Sequence, residues 1–143
     1  LVSREDSKEE GDLMRFKHFV LLNSLIVFIF GAAFMIRPLD MMALYGVVQS
    51  GWGVTGLLAV TLVGFGIVLS SIAYAVPEER QNPVTIALLL ANLIAFAVSA
   101  AQQQAIWNTR MGWVTAGVYL VFVLGYAYLV VRGASARQAA HRA

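Results

Sequence analysis

Apolar residues fall into four long runs along this chain, and the polar ones gather between them. The first run extends from about Phe16 to Ile36 and stops at Arg37-Pro38, because proline disfavours a helical conformation at the residue before it. The second runs from about Trp52 to Val76 and ends at Pro77. The third begins at about Val84, just after Pro83, and reaches Ile106; the fourth runs from about Trp113 to Val131 and is closed by Arg132-Gly133. Each run is near the roughly 20 residues that a helix needs to cross about 30 Å of hydrocarbon. Lipid offers no partner to a backbone N–H or C=O, so these segments are predicted to be helices.

The gaps carry information too. The stretch 38-PLDMMALYGVVQS-50 is long and half apolar, which predicts a short helix lying at the membrane interface. The gaps PEERQNP and WNTRMG are tight, so the second and third segments, and the third and fourth, are expected to be antiparallel neighbours. The predicted fold is all-α: an integral membrane four-helix bundle, up-down-up-down, with a short interfacial segment between the first two helices.

The ends differ from the body. Residues 1–13 hold five of the eight acidic residues and no apolar period, so they are read as a disordered tail outside the fold. Met14 opens a basic-then-apolar run of its own, which makes the preceding stretch an extension to the domain, an artefactual one on the alternative reading that the native start is Met14. Residues 132–143 form a basic tail. Gly31-Ala32-Ala33 has the small residues of a signal-peptide cleavage site, but bulky Phe34-Met35-Ile36 extends the apolar run past it. A retained span is therefore expected there.

Composition sharpens this picture. Hydrophobic residues make up 59% of the chain and charged residues only 13%, against about a quarter charged in a soluble domain. There is no cysteine, so disulfides and thiolate chemistry are excluded. The net charge of +2 comes from residues that flank apolar segments, which does not suggest nucleic acid as a partner. Counted from Met14, Arg15, Lys17, Arg80, Arg132, Arg137 and Arg142 share one side of the bundle, with Arg37 and Arg110 on the other. That bias predicts that both termini lie in the cytoplasm. Trp52, Trp107 and Trp113 then fall at the outer boundary, where indole is favoured.

Candidate chemistry is sparse. No ionisable residue lies well inside a predicted span, which disfavours an ion-coupled transporter. The two histidines, His18 and His141, are both near ends, so neither a haem nor another metal centre is expected, and no cofactor is assigned. Ser24, Ser70, Ser71 and Ser99 have no histidine at similar depth to activate them.

One polar pattern is sharper. Thr85, Asn92, Ser99 and Gln103 recur along one face of the third segment, within roughly 40° at about 100° per residue. Thr115, Tyr119 and Tyr126 do the same on the fourth. Counting outward from the turn near Thr109 and Arg110 pairs Gln103 with Thr115, Ser99 with Tyr119 and Asn92 with Tyr126, while Asn23 of the first segment shares the depth of Asn92. This seam is expected to hold helices together by interhelical hydrogen bonds. The competing reading makes it a narrow pocket for a lipid headgroup, a quinone or another amphipathic molecule.

The run 42-MALYGV-47, the Asn-x-x-x-Gly-Trp of Asn108 to Trp113, and 118-VYLVFVLGYAYLV-130 resemble a widespread group of small bacterial four-helix membrane proteins. More distantly the layout is similar to DoxX-like proteins, some of which accompany quinone-linked oxidases. An arginine often opens the second helix in that group, whereas Gly53-Val54-Thr55 stands there in this chain. The resemblance implies fold and membrane location and no mechanism. The functional expectation is a binding, accessory or scaffold protein, with the bilayer, other membrane subunits or a second copy as partners. A quinone- or lipid-linked redox or enzyme accessory is the alternative, and a small pore or transporter comes third.

Overall fold

A computed structural model describes residues 6–47, 52–104 and 108–140. The described chain is helical, with no strand. Its elements are α1 (Asp6–Ile36), α2 (Pro38–Leu44), α3 (Trp52–Ala75), α4 (Glu78–Gln102) and α5 (Arg110–Ala140). Four of them contain stretches long and apolar enough to cross a membrane: Arg15–Ile36, Gly53–Ala75, Arg80–Gln102 and Arg110–Ala134. The short helix expected between the first two spans is α2.

The outward faces of the long helices are apolar. Ile29 on α1, Leu57 on α3, Ile94 on α4 and Leu124 on α5 are all at least 60% exposed. Water would penalise so much exposed hydrocarbon, whereas lipid does not. Asn23, Ser24, Thr55, Thr85, Asn92 and Gln103 are turned inward and buried instead. Polar inside and apolar outside is the arrangement that a hydrocarbon solvent selects.

The chain divides into two compact units, residues 1–41 with 49–78, and residues 42–48 with 79–143. In the first, α1 and α3 run antiparallel. Gly31 packs on the backbone of α3, where a Cβ would lie 3.1 Å from the Val63 nitrogen and 3.2 Å from the Leu62 Cβ. Gly66 of α3 seats the Phe28 ring in the same way, at 3.0 Å. Small residues let two helices approach in lipid, where dispersion contacts replace the hydrophobic effect as the driving force. One turn beyond Phe28 the Ser24 hydroxyl donates to the Gly66 carbonyl at 2.7 Å. Ser24 has one hydrogen to give, so the Ser70 hydroxyl is the donor in the 2.7 Å bond between the two serines.

In the second unit α4 and α5 are also antiparallel. Gly112 lies against Gln103 at one end, and Gly133 lies against Asn82 at the other.

Five intramembrane hydroxyls and amides bond within their own helix. Thr61 donates to Leu57, Ser71 to Ile67, Thr85 to Gln81, Asn92 to Leu88 and Thr115 to Met111, each reaching the carbonyl four residues back.

Two helices run further than the apolar pattern suggests. α1 starts at Asp6, so Asp6–Leu13, read as a disordered tail, is helical. α5 continues past Val131 to Ala140. Extending an existing helix fixes one residue per new hydrogen bond and avoids a second nucleation, so a membrane helix readily continues beyond the lipid. Pro83, expected just ahead of the third span, lies inside α4. It sits in the second turn, near the helix start, where its missing N–H removes a single ladder bond.

Candidate functional site

The polar groups of the second unit converge on the turn between α4 and α5. α4 does not end by simple fraying. Its last turn widens, with the Asn108 N–H reaching back five residues to the Gln103 carbonyl at 2.9 Å. Asn108 then adopts a left-handed backbone, φ 34°, which asparagine tolerates better than most residues. Its side-chain oxygen accepts the Trp113 indole N–H at 3.1 Å.

Thr109 caps the start of α5. Its hydroxyl oxygen accepts the Gly112 N–H at 3.2 Å, and its carbonyl accepts the Trp113 N–H at 3.1 Å, the first bond of the new helix. Gln103 completes the arrangement from α4. Its buried side-chain oxygen accepts the Thr109 N–H at 2.9 Å and the Thr109 hydroxyl at 3.3 Å. A Cβ on Gly112 would fall on the Gln103 amide group, so glycine there makes the space that Gln103 occupies.

The segment 42–47 closes over this turn. α2 ends in a Schellman motif: the Val47 N–H reaches the Met42 carbonyl at 3.0 Å and the Gly46 N–H reaches Ala43 at 2.9 Å, with Gly46 at φ 76°. The position facing a Gly46 Cβ is taken by the Thr109 methyl at 3.0 Å. Tyr45 bonds Thr115 at 2.7 Å. Thr115 uses its own hydrogen on the Met111 carbonyl at 3.1 Å, so the tyrosine is the donor. Burial pushes the Tyr45 phenol up from its ordinary value, with the Thr115 bond opposing that shift. Tyr119 is half-buried and lies within electrostatic reach of Tyr45.

The seam read from spacing is realised in parts. Thr85, Asn92 and Gln103 are buried on α4, and Ser99 is half-buried. Tyr126 is fully buried on α5, with its ring 6.4 Å from Phe122. Asn23 is buried on α1, in the first unit. The register differs from the one counted out from the turn. Gln103 faces Gly112, not Thr115, and the same offset recurs where Asn82 meets Gly133. The wide last turn of α4 and the immediate capping of α5 by Thr109 move the centre of the turn towards α4. Thr115 is thereby left to Tyr45.

Sequence reasoning singled out Gln103 and Thr115 and missed their partners Thr109, Gly112 and Tyr45 as members of one site. The fold brings Tyr45-Gly46 together with the turn and first helical turns from Thr109 to Thr115.

These features define a class, a multi-pass helical membrane protein. Comparison with protein-family models, curated proteins and solved structures gave no match that would narrow it.

Proposed function

We propose that this protein is a non-catalytic accessory or scaffold subunit of the bacterial cytoplasmic membrane, with both termini in the cytoplasm. The observation that supports this is the use made of its polar groups. At the α4–α5 turn, Gln103, Thr109, Gly112 and Thr115 bond to one another, to Tyr45 and to the backbone. Deeper in the spans the polar donors of Thr85 and Asn92 go to carbonyls of their own helix. Such groups fix shape and leave the apolar outer faces as the surface offered to partners. The excess of Lys and Arg on the side of the termini supports the orientation.

The test is gentle purification from native membranes at native expression level. A membrane-protein partner should be recovered in constant ratio, and photo-crosslinkers at lipid-facing Leu57 or Leu124 should capture the same partner. Recovery as a lone chain with no crosslink from any outer face would refute the scaffold reading. Reporter fusions at the C-terminus test the orientation: a fluorescent protein should be active there and an exported phosphatase inactive.

A further inference from the structure

At one end of the α1–α3 pair, the Lys17 ammonium lies over the Tyr74 ring, 4.2 Å from its centroid. Lys17 is the third residue of its spanning stretch and Tyr74 the last but one of its own, so both stand at the same membrane boundary. Lys17 is half-buried, and Tyr74 is 68% exposed. Among the described side chains of this unit the one carboxylate is Asp40, and it is engaged by Arg37 at 3.4 Å, beyond the opposite end of α1. Among the residues whose side chains are described, no carboxylate is paired with Lys17.

A ring face holds a cation without using up its hydrogen-bond donors. The ammonium stays charged and aimed while its N–H groups point away from the ring. With the cation above the centroid, the phenol oxygen of the same ring lies about 5 Å from Nζ, and two donors at that separation both reach one phosphate group at about 2.8 Å each. The bilayer places phosphodiesters at this depth.

We infer that Lys17 and Tyr74 form a two-pronged binding site for the phosphodiester of an anionic phospholipid headgroup. Lys17 supplies the charge and one set of donors, and Tyr74 supplies the aim and a hydroxyl. The site needs the protein in a bilayer and is independent of whether it serves as a scaffold.

The experiment compares the full chain in nanodiscs of phosphatidylcholine alone and of phosphatidylcholine with a minority of phosphatidylglycerol. Thermal unfolding and lipid adducts by native mass spectrometry are the readouts. Phosphatidylglycerol should raise Tm, since a ligand of the folded state stabilises it, and should be retained as adducts. Lys17→Gln should lose those adducts about tenfold. Tyr74→Phe keeps the ring and the packing and should lose them severalfold, which keeps the test decisive should Lys17→Gln fold poorly. Inorganic phosphate added to the phosphatidylcholine discs should leave Tm unchanged. Equal behaviour in the two lipids, full retention by either variant, or a phosphate-induced rise matching that of phosphatidylglycerol would each overturn the assignment.

Discussion

The amide of Gln103 occupies the space that a side chain at position 112 would need. Gln103 follows the last residue of α4 and Gly112 lies in the first turn of α5, so glycine at position 112 leaves room for the Gln103 amide where it stands. Thr109 joins the two, accepting from Gly112 and donating to Gln103.

Gly112→Ala should therefore displace Gln103 and break its two bonds to Thr109, which caps α5. Overpacking and cap loss each cost on the order of 1–3 kcal/mol. Tm in detergent should fall, and replacing Gln103 with alanine in the same chain should recover part of the loss. That non-additivity is the sharper readout, because residues in contact couple while distant ones add. If the alanine at position 112 leaves Tm unchanged, Gln103 does not occupy that space.

Between α1 and α3, Ser24→Ala removes the donor to the Gly66 carbonyl and the acceptor of Ser70. Interhelical hydrogen bonds in membranes average about 0.6 kcal/mol and reach about 1.7, and this one links two hydroxyls in series. A loss near the upper value is expected in reversible unfolding. Ser71→Ala, whose hydroxyl is exposed and bonded within its own helix, should cost much less. Equal losses from the two substitutions would show that the relay contributes nothing special.

Tyr45 gives a pH signature. Its phenol is raised above 10.0 by burial, so the folded protein holds that proton more tightly than the unfolded chain does. The contribution to stability is complete below pH 10.0 and is lost as pH rises from there through the folded value. Tyr45 should be among the phenols that ionise late in an alkaline titration, and Tyr45→Phe should remove its step and the associated part of the alkaline loss of stability. A titration curve unaltered in the phenylalanine variant would contradict the burial of this hydroxyl against Thr115.

The spans were legible because run length and proline placement act locally. Phe16–Ile36 needs only its own apolar residues to become a membrane helix, and Pro38 and Pro77 mark stops in the sequence itself. The inward burial of Asn92 and Gln103 was legible for a related reason: helical spacing assigns a face. The register was not. It depends on how α4 unwinds after Gln102 and on the left-handed turn at Asn108, neither of which periodicity reports. The bond from Tyr45 to Thr115 joins residues 70 apart, and nothing local to either specifies it. The helical stretch Asp6–Leu13 was missed because its composition argues against independent folding, whereas it continues a helix that lipid already stabilises.

The inward-curling side chains have a consequence for biogenesis. Thr61 and Ser71 on α3, Thr85 and Asn92 on α4, and Thr115 on α5 all donate to a carbonyl one turn back. A helix with its donors satisfied in this way can leave the insertion machinery alone and wait in the bilayer without a chaperoning neighbour. Ser24 and Ser70 are different, because each donates across the α1–α3 pair. The first helix thus carries a polar group whose final acceptor exists only once the next span has been made, so pairing of α1 with α3 completes its bonding.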